Sequence, residues 1–237
     1  MNRTLTAVLL MAAAILTNAA FTVLGSVFNY PDVLKESTVD ILASFRAHQG
    51  QVTFWFAMMA VSAALFAPIA IGVGRLSTHR AMGWAVPVGI AAAVVQVIGL
   101  SRWPLLVPGF AADAASTDPA TAASGRDAFE MAHLILGNVI GETLGYIFTA
   151  AWTLLVLVAL HRTLAGLWFT VLGAVSAILI VAGVLSPLDL PIIDNANFVG
   201  YVLWSVWAIV FAVLLVVRRP RATVDSPQAA ALLGEHG

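Results

Sequence analysis

The sequence predicts an all-α, polytopic transmembrane bundle of six helices, and three observations carry that prediction. Hydrophobic residues make up 61% of the 237 positions and charged residues 10%, far from the about 45–50% and about 25% of soluble domains. Six continuous apolar stretches, each near or above the about 20 residues that cross a bilayer core of about 30 Å, occupy most of the chain. Their apolarity is unbroken rather than alternating. That excludes a closed barrel, the other structure that satisfies its backbone inside a bilayer.

The first stretch covers about residues 5–28. Arg3 before it and Thr17-Asn18-Ala19 within it resemble a signal peptide, but the run is longer than a signal core of about 7–15 residues, so a retained helix is expected. The others cover about residues 52–73, 82–107, 129–160, 164–185 and 198–217. Between the first two, residues 31–46 open with Pro31 and Asp32 and set Leu34, Thr38, Ile41, Leu42 and Phe45 along one face, which predicts an amphipathic helix lying on or capping the bundle. Residues 108–128 are small, polar and acidic, with Pro119 and Gly125, and read as a flexible loop. SPLDLPIIDNAN is a Pro-broken turn, while RLSTHR and HRT are tight connections that imply antiparallel hairpins. One domain thus spans residues 1–221, and residues 222–237 read as a disordered tail.

Orientation follows from the basic residues. Arg3, Arg75, Arg80, Arg162, Arg218, Arg219 and Arg221 flank one side; Lys35, Arg46, Arg102 and Arg126 flank the other, among nine acidic residues. The positive-inside rule counts Lys and Arg, and it places both termini in the cytoplasm of a multi-pass inner-membrane protein. A formal charge of −1 leaves no case for nucleic acid, and zero cysteines exclude disulfides, thiolate metal sites and a cysteine nucleophile. The bilayer is the first expected partner, with a small or lipidic ligand next; a homo-oligomer is compatible with the composition.

A weak internal repeat is visible. FRAHQG before the second stretch echoes FEMAHLILG before the fourth, THRAMGW echoes LHRTLAGLW, and LSRWP echoes LSP, pairing His48 with His133, His79 with His161 and Ser101 with Ser186. This predicts that helices 2–3 and 4–5 are parallel repeats related about the membrane normal. The run GETLGYIFTAAWTLLVLVAL, a short basic turn, a Gly-rich helix, a Pro-broken loop and FVGYVLWSVWAIVFAVLLVVRR together resemble a bacterial six-helix membrane family known only as a domain of unknown function. The resemblance implies a six-helix fold and brings no activity or site residues.

The fourth stretch holds the candidate chemistry. At about 100° per residue, Glu130, His133, Gly137, Asn138, Gly141, Glu142 and Gly145 share one half of an α-helix. The glycines form a ridge for close helix approach. Glu142 lies deep in the stretch, where a carboxylate must be protonated, paired or facing a cavity; Asn138, Asn18 and Gln96 are its candidate partners and, with it, candidate ligand or proton-coupling groups. Tyr146 is a further polar group within a helix. His48 and His133 are candidate ligands for a haem iron, or with Glu130 or Asp127 for a divalent metal. Trp55, Trp84, Trp103 and Trp168 are expected at interfaces, and Trp152, Trp204 and Trp207 in the core. No phosphate loop, nucleophile elbow or zinc-helix motif is present, so nothing in the sequence supports an enzyme.

Three functions compete: a small-molecule or lipid binding or transport-type bundle with an outward-facing cavity, a haem or metal redox protein using His48 and His133, and a structural or regulatory subunit with no ligand site. The topology itself is testable. A cysteine at Ala115 should react with an impermeant thiol reagent in intact cells while one at Ser226 should not, and the reverse pattern would overturn the orientation.

Overall fold

Inside a bilayer a backbone N–H has no water to bond, and each apolar stretch resolves this within itself as a helix. The computed structural model describes residues 2–160, 166–188 and 190–217; His161, Arg162, Asp189, Arg218, Arg219, Arg221 and the tail at 222–237 lie outside them. The first span is α1 (Arg3–Phe28), followed by a 3₁₀ turn (Asp32–Lys35) and the short α2 (Thr38–Ala47). The second span is α3 (Gln49–Gly74); α4 (Arg80–Leu105) with α5 (Val107–Ala114) forms the third. The fourth runs through α6 (Pro119–Ala132), a π-helical segment (His133–Leu144) and α7 (Gly145–Leu160). The fifth is α8 (Leu167–Ala182) ending in a 3₁₀ turn (Gly183–Leu188), and α9 (Pro191–Val217) is the sixth. Successive spans pack as neighbours and α9 returns to α1, so the six close into a ring.

Two connections differ from expectation. The amphipathic segment does cap the bundle, but the α-helix starts at Thr38 rather than Pro31, because Ser37 accepts from the Asp40 N–H as its cap. Its Ile41, Leu42 and Phe45 are buried against Trp103, Val107, Ala111 and Phe129. Residues 108–128, read as a flexible loop, are mostly a helical hairpin built from α5 and α6. Alanine favours helix, Pro119 has the fixed φ that suits a first turn, and Asp118 accepts from the Thr121 N–H (2.9 Å) and hydroxyl (2.7 Å). Those bonds hold its carboxyl below the usual range. Gly125 then lets the hairpin close: a methyl there would stand 2.6 Å from the Ala114 nitrogen. Composition cannot register that contact.

The core has two halves. Toward the short-turn end, Phe66, Trp152, Trp204 and Trp207 from α3, α7 and α9 meet at ring centroids 4.7–6.5 Å apart. Toward the long-connection end, Trp103 stacks on Phe56 at 4.7 Å and 8°. Trp103 is therefore core, 0% exposed, and not the interfacial residue expected; Trp84 and Trp168 are exposed near helix ends. The expected 2–3 and 4–5 hairpins each pack as neighbours, yet their members are unequal, with a 35-residue third span against a 22-residue fifth.

The third and fourth spans meet along the expected glycine ridge. Gly99 and Gly141 touch backbone to backbone, since a methyl on Gly99 would lie 2.5 Å from the Gly141 Cα. Gly145 makes room for Gln96, and Gly89 for the Trp152 indole. Backbone cannot rotate away as a side chain can, so Gly99→Ala should lose about 1–3 kcal/mol by overpacking, read as a lower Tm in detergent. Gly83→Ala, with nothing within 4 Å of the new methyl, should match or slightly exceed wild type. Equal Tm values for the two variants would remove the contact as a determinant of the fold.

Candidate functional site

One turn beyond the Gly99–Gly141 contact lies Arg102. It is 5% exposed, the one charged side chain buried among the described residues. Gly137 accommodates it: a methyl there would stand 2.8 Å from the guanidinium carbon and from Nη2. Nη1 donates to the Gly99 carbonyl of its own helix, Nη2 lies 3.5 Å from His133 Nδ1, and the cation sits 5.4 Å from the Trp103 ring centroid. Nε has no partner. A guanidinium carries five N–H donors, and this one makes a single short hydrogen bond.

Glu142 is on the π-helical segment, and that winding changes what it faces. In an α-helix Glu142 and Gly137 would stand about 140° apart around the axis. With i→i+5 bonding, residues five apart stand much closer in angle, so the π-helical winding turns Glu142 toward the side of the helix that carries Gly137. Glu142 is half-buried, where Arg102 is buried. No ion pair and no hydrogen bond joins them, and the Glu142 carboxyl has no hydrogen-bond partner among the described residues. The expected bonds go elsewhere. Asn18 donates to the Ala14 carbonyl (2.7 Å) and to Ser205 Oγ (3.1 Å), tying α1 to α9, and Gln96 donates to Thr149 Oγ1 at 2.9 Å, tying the third span to the fourth. Asn138 lies one turn before Glu142 in the same segment, without a bond to it.

The chain has three tyrosines, Tyr30, Tyr146 and Tyr201, and all three are half-buried. The Tyr146 and Tyr201 rings are 5.9 Å apart; Tyr30 packs edge-on against Phe56 at 5.2 Å and Phe21 at 5.4 Å. Burial, reinforced by Glu142 and opposed by Arg102, pushes the Tyr30 hydroxyl up to about 12. It is thus a neutral donor at any ordinary pH. Asp194, at the start of α9, holds Lys35 at 3.1 Å. That contact ties the connection after α1 to the sixth span and raises the lysine above its ordinary value.

The histidine set does not assemble in the same way. His48 is exposed at the corner between α2 and α3. His133 stacks on Phe129 at 5.6 Å and 16° with Nδ1 turned to the Arg102 cation, a poor setting for a second cation. Glu130 accepts from the Thr38 hydroxyl at 2.7 Å, pinning α2 to α6, and Asp127 is exposed. Among the described residues no three His, Asp or Glu side chains group as a metal site. Arg102, Tyr30 and Tyr201 were missed. A basic residue three positions after a glycine and within an apolar stretch was the available signal for Arg102, obscured by its nearness to the end of that stretch.

The chain belongs to a family described as Domain of unknown function (DUF4386), whose profile matches residues 5–218. No curated protein and no solved structure matches it.

A buried cation without a paired anion costs several kcal/mol in desolvation that its contacts do not return. Arg102→Met, which fills similar volume, should therefore leave Tm unchanged or raise it. A fall corresponding to more than about 3 kcal/mol would identify the guanidinium as a structural tie.

Proposed function

We propose that this member of the family is a ligand-binding membrane protein of transport type, seated in the inner membrane with both termini cytoplasmic, whose site is the Glu142 and Arg102 cluster in the half of the bundle nearest the long connections. Integral membrane character rests on six apolar spans and orientation on the distribution of basic residues. One observation carries the choice of site: the Arg102 guanidinium is buried inside the bundle with its Nε unpartnered, while Glu142, half-buried on the neighbouring span, is not bonded to it. Charged residues within spans are costly and persist where they face partners or a pathway. Helix-to-helix glue would use them as a direct ion pair; Arg102 instead reaches across to His133 at a long 3.5 Å, while Gln96 to Thr149, Asn18 to Ser205, Trp204 to Thr153 and Thr17 to Ser62 tie spanning helices through neutral groups. The π-helical winding adds support, since such segments are enriched at functional sites.

Native mass spectrometry of protein extracted from its own membranes tests this. Wild type should retain a bound species of defined mass at one per chain. Glu142→Gln, which keeps shape and hydrogen bonding, should keep the wild-type Tm and lose that species. An identical adduct profile in the two proteins, or none in either, would overturn the assignment.

A further inference from the structure

We infer that the short-turn end of α4 binds one anionic phospholipid, its phosphate at Arg80 and Arg75, its glycerol region beside Trp84 and an acyl chain along the exposed face of the same helix. This surface lies at the other end of the bundle from Arg102, and the inference is independent of the ligand site proposed above.

Charge is distributed unevenly over the two ends. Arg3, Arg75 and Arg80 stand at the short-turn end, where the described residues include no Asp or Glu. At the long-connection end the chain supplies partners for its own cations: Lys35 contacts Asp32 at 3.6 Å and Asp194 at 3.1 Å, and Arg46 donates to the Ala111 carbonyl at 3.2 Å. Arg75 and Arg80 are exposed, and neither guanidinium has a hydrogen bond or ion pair among the described residues. Their charge is left for an anion outside the chain.

Local structure keeps the two arginines at one corner. Gly74 has no side chain where Val86 lies, so the end of α3 packs directly on the second turn of α4. The connection between them is tight. The Leu76 N–H donates to the Val73 carbonyl at 2.9 Å, Ser77 Oγ accepts from the His79 N–H at 3.1 Å, and His79 Nδ1 caps α4 by accepting from the Ala81 N–H at 3.2 Å. Arg80 is the first residue of that helix, where the macrodipole adds positive potential.

What continues from Arg80 identifies the occupant. One turn on, on the same helix face, stands Trp84, 66% exposed. Gly83 beside it leaves open space, with nothing within 4 Å of where a Cβ would be. Pro87 is exposed next, then Val94 and Ile98. At about 100° and 1.5 Å per residue, positions 80, 84, 87, 94 and 98 form one outward stripe about 27 Å long. It passes from cation through interfacial indole to aliphatic surface, the order of phosphate, glycerol and acyl chain in a phospholipid. A soluble anion would use only the first residue of the stripe, and an acidic protein would leave its membrane-embedded part without a role.

Titration of the purified, full-length protein in detergent with dioctanoyl phosphatidylglycerol or dioctanoyl phosphatidylcholine, read by native mass spectrometry, gives the test. The first phosphatidylglycerol should bind at one per chain, at a concentration on the order of tenfold below that needed for phosphatidylcholine. Arg80→Gln should weaken it about fivefold and the Arg75→Gln/Arg80→Gln pair about twenty-fivefold, while Trp84→Ala should weaken both lipids. Arg3→Gln removes a charge from the same end but from α1, whose main neighbours are α3 and α9, and should cost less than Arg80→Gln. Equal binding of the two lipids, or equal losses in Arg3→Gln and Arg80→Gln, would overturn the inference in favour of diffuse surface charge. Displacement of the lipid by inorganic phosphate at matched concentration would overturn it in favour of a soluble anion. The wild-type ranking of the two lipids decides the matter if a variant fails to fold. Glu142→Gln should keep this adduct, and its loss there would refute the location.

Discussion

Gly99 and Gly141 meet where the third and fourth spans cross, with backbone against backbone. Between transmembrane helices there is no hydrophobic driving force of the aqueous kind, so close packing and interhelical hydrogen bonds must hold them. The glycine contact permits both. It sets the two axes close enough for Gln96 to reach Thr149 on one side and for Arg102 to lie flat on Gly137 on the other. The register of that crossing also places Trp152 in the space left by Gly89, and through Trp152 the aromatic core reaches α3 and α9.

The bundle does not treat its polar groups alike. Hydroxyls, amides and an indole are spent on neutral ties between neighbouring helices, which satisfy donors at modest desolvation cost. The guanidinium has only a long contact to His133 across the spans and an unpartnered Nε, and no hydrogen bond or ion pair joins it to the Glu142 carboxyl. A sequence selected for stability alone would replace them with apolar residues of similar size. The larger apolar cluster, which includes Trp152 and Trp207, lies toward the short-turn end.

The π-helical segment links the two. Twelve residues wound with i→i+5 bonds carry His133, Gly137, Gly141 and Glu142, so the stretch that makes the glycine contact also aims the carboxyl. A single turn of π-helix is the usual extent. Here the two glycines facing the third span let its backbone approach, and the altered winding shifts Glu142 around the axis toward the side that carries Gly137. The 3₁₀ turn after α1 and the Lys35 contact with Asp194 close the same end from above.

The six spans, their order and the capping role of the segment around Ile41, Leu42 and Phe45 were readable from the sequence, because transfer into a bilayer is decided residue by residue over a window of about 20. The glycine ridge and the cost of Glu142 were readable for the same local reason. What surrounds Glu142 was not. What stands near it depends on which faces meet across a ring of helices, and nothing local in the sequence encodes that. The α-helical projection also failed within residues 133–144, which wind as a π-helix. The sequence by itself determined a membrane bundle with one costly carboxyl. Only the tertiary structure turned Arg102 from a residue at the end of an apolar stretch into a buried cation, because burial depends on Gly137, thirty-five positions away, having no side chain where the guanidinium lies.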